Sequence, residues 1–191
     1  MGESLRRRLL IASPLLLDPN FARTVVLMLE HNDDGALGLV LNRPTDTRLG
    51  EILPPWDDRT VAPGVVFVGG PVQPDGMIGV ARLAVDLHPS VEPGDAASLT
   101  VLWPGLGTLD LEQPPVAAGP LVEGVRCYLG YSGWGSRQLE SELAQGSWFV
   151  VEPRPDDVWT SQPDGLWRAV LRRQPAALAQ YAQCPSDPST N

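Results

Sequence analysis

The sequence predicts an α+β fold, a single compact domain in which helices flank a mixed β-sheet. Residues 24–31 and 36–42 are runs of β-branched and aliphatic residues, and 65–68 is a third. Asn-Asp-Asp-Gly at 32–35 is typical of a hairpin turn. Residues 136–145 and 164–174 instead show helical spacing of leucines. Because the apolar runs are nearly continuous, we expect strands that are covered on both faces.

The remaining elements follow in chain order. Pro44 is expected to close the second strand, and a short helix is expected at 49–53, before Pro54. Further strands are predicted at 77–83, 97–103, 108–111, 125–131 and 147–151, with a loop at 86–95. Glycines at 130, 133 and 135 predict a turn, and Ser136 is the expected N-cap of the helix that Gly146 ends.

Size and composition bound the class of protein. The chain has 191 residues, which fits one domain over 1–182 with a flexible tail over 183–191. Its net charge of −9 makes nucleic acid an unlikely partner, since phosphate binding needs a basic surface. All 14 basic residues are arginine. The lack of lysine excludes Schiff-base chemistry, pyridoxal-phosphate attachment and a P-loop lysine, and no cofactor is indicated.

The compartment is expected to be the cytoplasm. Cys127 and Cys184 do not form a disulfide framework and are interpreted as reduced thiols. Arginines 6–8 followed by apolar residues imitate a signal peptide, but Pro14 interrupts the run and no Ala-x-Ala site follows. No stretch of about 20 apolar residues is present, so we expect no membrane-spanning segment.

Four kinds of site were considered along the chain. A glycine turn before a helix suits an anion site, but the 130–135 spacing reverses the dinucleotide fingerprint. Ser132 stands where a nucleophile elbow would place it, although Trp134 occupies a required glycine position. Glu30 and His31 are strand neighbours that point to opposite faces, which disfavours a shared metal ion. Arg43 could hold a carboxylate, or pin a loop through a salt bridge.

The order of several motifs resembles the YqgE/AlgH family of bacterial proteins. These motifs are Leu-Ile-Ala at 10–12, Arg-Thr-Val at 23–25, Leu-Asn-Arg-Pro at 41–44, Gly-Gly-Pro-Val at 69–72 and Gly-Trp-Gly at 133–135. The resemblance implies a compact cytosolic α/β-type domain with a mixed sheet. It implies no established activity. The family usually has alanine where Ser132 stands and Pro-Gly in place of Ser136-Arg137.

We therefore expect a binding or regulatory protein, with no catalytic or metal-ligating residues assigned and a small molecule or a protein as its partner. One alternative is an enzyme acting on a small anionic substrate; another is a DNA-associated transcriptional regulator, although no DNA-reading motif is present. The expected cleft brings together the polar groups and glycines at strand ends: Glu30, His31, Asn42, Arg43, Gly69, Gly70, Gly130, Tyr131, Gly133, Trp134, Gly135 and Gln138.

Overall fold

The computed structural model describes residues 4–84, 99–111 and 121–185. In that part of the chain the strands are β1 (Leu9–Ala12), β2 (Val25–Asn32), β3 (Gly35–Val40), β4 (Pro44–Arg48), β5 (Val65–Val68), β6 (Val72–Leu83), β7 (Leu99–Trp103), β8 (Leu106–Leu109), β9 (Val122–Gly135) and β10 (Trp148–Val151). The α-helices are α1 (Leu49–Ile52), α2 (Gln138–Ala144), α3 (Pro155–Val158), α4 (Leu166–Arg172) and α5 (Ala176–Ala179). Short 3-10 helices cover Pro54–Arg59, Pro163–Gly165 and Gln180–Gln183.

The α+β class and the mixed sheet are confirmed. Strand β5 runs parallel to β9, whereas the other strand pairs are antiparallel. The chain divides into a first unit, residues 1–43 and 132–191, and a second unit, residues 44–131. That residues 1–182 form one domain stays a prediction. No helix in the described part of the chain has the length and hydropathy needed to cross a bilayer.

Five strands form the sheet of the first unit, in the order β10-β1-β2-β3-β9. Residues 132–135 of β9 supply the last position by pairing with Gly35–Gly38 of β3. Every residue of β1 is buried, as are the first five residues of β2. The first part of the apolar run that imitates a signal peptide, Leu9–Ala12, is therefore an inner strand, and its continuous hydrophobicity reflects burial on both faces.

Helix α4 packs its apolar face into the first unit, as its spacing predicts. Leu166, Trp167, Val170 and Leu171 are buried, and the Trp167 indole N–H donates to the Ala12 carbonyl oxygen at 2.9 Å. Just beyond this helix, Arg173 makes a two-point ion pair with Asp157 of α3, with both N–O distances at 2.5 Å. A paired, hydrogen-bonded carboxylate is the form in which a buried charge is tolerated.

The second unit is built on the longer part of β9. Strands β6 and β5 pair with opposite edges of this segment, β8 and β7 extend the sheet beyond β6, and β4 pairs with β5. Its core groups Trp56, Val66, Val125 and Cys127 with aliphatic residues of β6, β7 and β8. Burial raises the pKa of the Cys127 thiol to about 12, so this thiol stays protonated at neutral pH.

Three boundary predictions are wrong, the first two of them for identifiable reasons. Strand β9 continues to Gly135, where a turn at 130–135 was expected, because Gly133 and Gly135 pair with Leu37 and Gly35. Pro44 begins β4 and does not simply close β3; proline is tolerated at the first position of a strand. The predicted 108–111 strand lies instead at Leu106–Leu109. The loop expected at 86–95 lies outside the described residues.

Arginine side chains donate to backbone carbonyl oxygens throughout the chain. Such bonds within the described residues include Arg6 to Leu29, Arg23 to Cys184 and Pro185, Arg43 to Ala22, Arg59 to Val122, Arg126 to Ala62, Arg168 to Ala182 and Cys184, and Arg173 to Glu152. Because each guanidinium carries five donors in a planar fork, one side chain can hold two loop carbonyls.

We predict that Gly130→Ala destabilises the protein by about 2–4 kcal/mol. Gly130 has a φ of 63°, and a Cβ there would lie 2.5 Å from the Gly70 carbonyl oxygen and 2.8 Å from that of Val72. The matched control is Gly146→Ala, where φ is 74° but no atom lies within 4 Å of the added Cβ. It should cost only the conformational part, about 1–2 kcal/mol. Equal losses in urea unfolding would contradict the steric explanation.

Candidate functional site

The structure distributes the predicted site residues over three places. Around the β2–β3 hairpin and the end of β9 lie Glu30, His31, Gly133, Trp134, Gly135 and Gln138. At the other end of the β2–β3 pair lie Asn42 and Arg43. In the second unit lie Gly69, Gly70, Gly130 and Tyr131.

Three aromatic rings form the centre of the hairpin group. Trp134 and Trp148 are both buried and meet edge to face, with ring centroids 5.9 Å apart. Phe21 stacks on Trp134 at 6.1 Å and contacts Trp148 edge-on at 5.5 Å. Such geometries follow the ring quadrupoles and add to the stability from buried area. Trp134, predicted as a wall of the cleft, is therefore part of a packed core.

The Glu142 carboxylate satisfies both buried indoles. Its Oε2 atom accepts the Trp134 N–H at 2.9 Å and the Trp148 N–H at 2.8 Å, and Oε1 accepts from the Gln138 amide at 2.9 Å. The Gln138 carbonyl in turn accepts the Gly135 backbone N–H at 3.1 Å. These groups place the start of α2 against the end of β9. Glu142 was missed at the sequence level because its partners are the indoles of Trp134 and Trp148 and not charged residues.

Groups at the start of α2 make hydrogen bonds within the protein. The helix has seven residues, its N-cap is Arg137, and the Ser136 hydroxyl donates to the Asp33 carbonyl oxygen at 2.7 Å. The prediction that Ser136 caps the helix is therefore wrong. A seven-residue helix concentrates little dipole, and the nearby Gly135 N–H is already bonded within the protein.

His31 is fixed by two different groups. Its Nδ1 atom accepts the Leu5 backbone N–H at 3.0 Å, which assigns the proton of the neutral ring to Nε2. That nitrogen lies 3.1 Å from the Glu140 carboxylate. Glu30, the preceding residue, is exposed at a register shift in β2. His31 therefore ties the N-terminal segment to β2 and α2. In the described part of the chain, no three His, Cys, Asp or Glu side chains are grouped to hold a metal ion.

Asn42 and Arg43 organise a different place. The Asn42 amide accepts the Val25 N–H at 2.8 Å and donates to the Arg23 carbonyl oxygen at 2.9 Å, while Arg43 donates to the Ala22 carbonyl oxygen at 2.6 Å. Val25 and His31 are six residues apart along β2, about 20 Å of extended chain. Arg43 does pin a loop, but through a carbonyl and not through a salt bridge. Ala22 is the neighbour of Phe21, which stacks on Trp134, and the convergence of Arg43 and Trp134 on one cleft stays a prediction.

The glycine motifs of the second unit allow close backbone contact. Gly130 is the position where β9 approaches the backbone at Gly70 and Val72, as its positive φ permits. The Gly69 N–H donates to the Leu129 carbonyl oxygen at 2.7 Å, and Tyr131 pairs with Val72. These residues bring the 69–72 segment onto β9, which is a folding role that needs no ligand.

Two buried polar residues of β9 were not anticipated. Arg126 is 1% exposed, donates to the Ala62 carbonyl oxygen at 2.6 Å and lies 4.7 Å over the Phe67 ring. Burial lowers the pKa of Arg126. Burial also raises the pKa of the neighbouring Tyr128 to about 12, against the opposing effect of the Arg126 charge. Ser132, further along β9, is 0% exposed, so a substrate cannot reach it as it would reach a nucleophile elbow.

The exposed leucines at 15 and 17 were also missed. Leu15 is 86% exposed and Leu17 is 70% exposed, although both lie in the apolar run Leu-Leu-Leu between two prolines. Leu16 between them packs against the buried residues around Trp134 and Trp148, the tryptophan cluster. A run of three leucines next to a buried strand suggests burial of all of them. The only sequence signal for a loop was the prolines at 14 and 19.

We predict that Glu142→Ala lowers the free energy of unfolding by about 2–4 kcal/mol, because two buried indole N–H groups lose their acceptor. The matched control is Glu140→Ala in the same helix. Glu140 is exposed and has His31 as its partner, so its loss should cost less than about 1 kcal/mol. Urea unfolding followed by tryptophan fluorescence measures both. A similar small loss for both variants would show that Glu142 does not support the indoles.

Comparison with known proteins places these features in a family. Residues 9–179 match the family described as AlgH-like, DUF179. The chain is 49% identical to the UPF0301 protein SCO2948 of Streptomyces coelicolor, over 99% of this chain and 96% of that protein. It is 42% identical to the UPF0301 protein of Thermobifida fusca, over 98% of this chain and 96% of the relative.

Two solved structures share the fold. The crystal structure of DIP2367 from Corynebacterium diphtheriae superposes with a TM-score of 0.83 at 30% identity, covering 96% of this chain and 94% of that one. The solution structure of the AlgH protein from Pseudomonas aeruginosa gives a TM-score of 0.65 at 29% identity, covering 98% of this chain and 100% of that one. The chain belongs to the AlgH-like (UPF0301) family.

Proposed function

We propose that this protein binds a protein partner and catalyses no reaction itself, and that the partner contacts the loop of residues 13–24. The observation that carries the proposal is the exposure of Leu15 and Leu17 side by side on this loop. A single exposed leucine is ordinary on a protein surface, whereas two neighbouring ones on an ordered loop resemble the apolar anchors of interfaces.

The loop backbone is held in a defined shape. The Ser13 N–H donates to the Ser147 carbonyl oxygen, Leu16 N–H to the Ser13 carbonyl oxygen, and Ala22 N–H to that of Asp18 at 2.7 Å. Leu16 and Phe21 both pack against the tryptophan cluster. A preorganised loop loses little conformational entropy on binding, so burial of its leucines converts more fully into affinity.

The chemistry around the hairpin supports binding over catalysis. His31, Gln138 and Glu142 hold backbone or indole groups of the protein itself. A general base or a nucleophile has to reach a substrate within hydrogen-bond distance, and these groups are already directed inward. An enzyme acting on a small anion is the second candidate, and the Arg23–Arg168 pair, considered in the next subsection, favours it.

We predict that Leu15→Ser/Leu17→Ser weakens the partner complex by at least about tenfold, since each leucine buried at an interface contributes roughly 1.5–3 kcal/mol. The partner is first identified by cross-linking through a photoreactive residue at position 17, and the Kd is then measured with purified proteins. Stability should change by less than about 0.5 kcal/mol because both side chains are exposed.

The matched control for that experiment is Ile52→Ser, an exposed aliphatic residue of the second unit at 44% exposure. It should leave the Kd unchanged. If the double variant binds as tightly as the wild type, or if Ile52→Ser weakens binding equally, the loop is not the partner surface.

We predict that the protein shows no specific DNA binding at physiological salt. The second unit carries four arginines against eleven carboxylates, a net charge of −7, and the first unit ten against twelve, a net charge of −2. Neither balance supplies the excess positive charge that phosphate contacts require. Electrophoretic mobility shifts with genomic fragments test this, and nanomolar binding to one sequence but not to its scrambled version would refute it.

A further inference from the structure

Two arginines of the first unit converge on the backbone near the end of the chain. Arg23 donates to the carbonyl oxygens of Cys184, at 3.3 Å, and Pro185. Arg168 donates to those of Ala182, at 2.6 Å, and Cys184, at 3.1 Å. The Cys184 carbonyl oxygen is therefore shared by both guanidinium groups. Both guanidinium groups are thus directed toward the same atom.

The positions of both arginines are set by neighbouring elements of the fold. Arg23 has a φ of 56°, a conformation that is unfavourable for a residue with a Cβ, and its carbonyl oxygen is held by the Asn42 amide at 2.9 Å. Its guanidinium carbon lies 4.6 Å over the Trp167 ring, whose N–H is bonded to Ala12. Arg168 is the next residue on α4. The position of the Arg23 charge is thus set by groups unrelated to the tail.

The electrostatics favour a stronger acceptor than a peptide carbonyl. Partial burial, then the neighbouring Arg168 charge, lowers the pKa of Arg23, so the surroundings disfavour the charged form of Arg23. The carbonyl oxygens of Ala182, Cys184 and Pro185 offer partial negative charges. A carboxylate or phosphate carries at least one full negative charge shared over two or more oxygens, matches the planar guanidinium fork, and forms hydrogen bonds about twice as strong.

We propose that Arg23, Arg168 and the face of Trp167 form a binding site for a small oxyanion, carboxylate or phosphate, and that residues 182–185 cover this site until such a ligand displaces them. Arg23 stands at the end of the loop of residues 13–24, but the oxyanion site uses neither Leu15 nor Leu17, so it does not depend on the assignment of that loop to a protein partner. The tail contributes its acceptors through main-chain atoms, so it can act as a weak internal competitor whatever its side chains.

The first test compares the full chain with a chain that ends at Gln183, which lacks the carbonyls of Cys184 and Pro185. Inorganic phosphate and succinate are titrated separately by calorimetry to distinguish the two oxyanion classes. Removal of the competitor should tighten binding of at least one probe by about tenfold or more, because a covered site reduces apparent affinity by its open fraction. Equal affinities for both chains, or no binding to the folded shorter chain, would overturn the proposal.

The cations are tested in the shorter chain. Arg23→Gln and Arg168→Gln should each weaken binding of the better probe at least tenfold. The matched control is Arg172→Gln, an exposed arginine of the same helix that should leave the affinity unchanged. Thermal unfolding confirms that each variant is folded. Unchanged affinity in the Arg23 and Arg168 variants would assign any binding to another place and refute the site.

A second measurement uses the full chain and so does not depend on the truncation. Cys184 is a free thiol in the covering segment, whereas Cys127 is buried and protonated, which makes it a silent internal reference. Neutral iodoacetamide should label Cys184 several-fold faster in the presence of the better probe, with no such increase in the Arg23→Gln protein. A labelling rate that the anion leaves unchanged would show that the tail is not displaced, and would contradict the proposal.

Discussion

The hydrogen bonds from two buried indole N–H groups to one carboxylate hold together the region where β9 ends and α2 begins. Trp134 and Trp148 supply most of the apolar area there, yet each brings a polar N–H that needs an acceptor after burial. Glu142 on α2 accepts both indole N–H groups with one carboxylate oxygen, and its other carboxylate oxygen accepts a hydrogen bond from the Gln138 amide. Phe21 packs on both indoles, and α2 carries Glu142. The β2–β3 hairpin pairs with β9 at Trp134. The positions of all three elements therefore depend on this arrangement.

The elements that rest on local patterns were predictable. The β2–β3 hairpin, α1 at Leu49–Ile52 and the buried face of α4 all follow from turn chemistry and periodicity. The end of β9 was not predictable in this way, because glycine has two structural roles that look alike in a sequence. At Gly130 it provides a positive φ for close backbone approach, while Gly133 and Gly135 occupy ordinary ladder positions. Only the partner strand distinguishes these uses, and pairing is non-local.

The candidate site was harder to predict for a related reason. Polar residues such as Asn42 and His31 attract attention as ligand-binding groups. Asn42, however, bonds to main-chain groups of the Arg23–Val25 segment, and His31 bonds to the Leu5 N–H and faces the Glu140 carboxylate. Buried backbone donors and acceptors must be satisfied, and in this chain side chains do much of that work. Conversely, Arg23 and Arg168 are 145 positions apart in the sequence, and only the folded chain shows that they converge on one carbonyl.

The use of arginine to bind carbonyl oxygens also shapes the field around the molecule. Guanidinium groups engaged with neutral main-chain atoms keep their charge, and the 23 carboxylates of the chain outnumber its 14 arginines, which gives the net charge of −9. An approaching anion is therefore repelled at long range and attracted only at contact. Since the Debye length is about 8 Å at 0.15 M salt, moderate ionic strength screens the repulsion more than it weakens the partly buried contact. Anion association with this protein should accordingly accelerate as salt is first added, the reverse of the behaviour of a basic protein, before competing salt anions slow it.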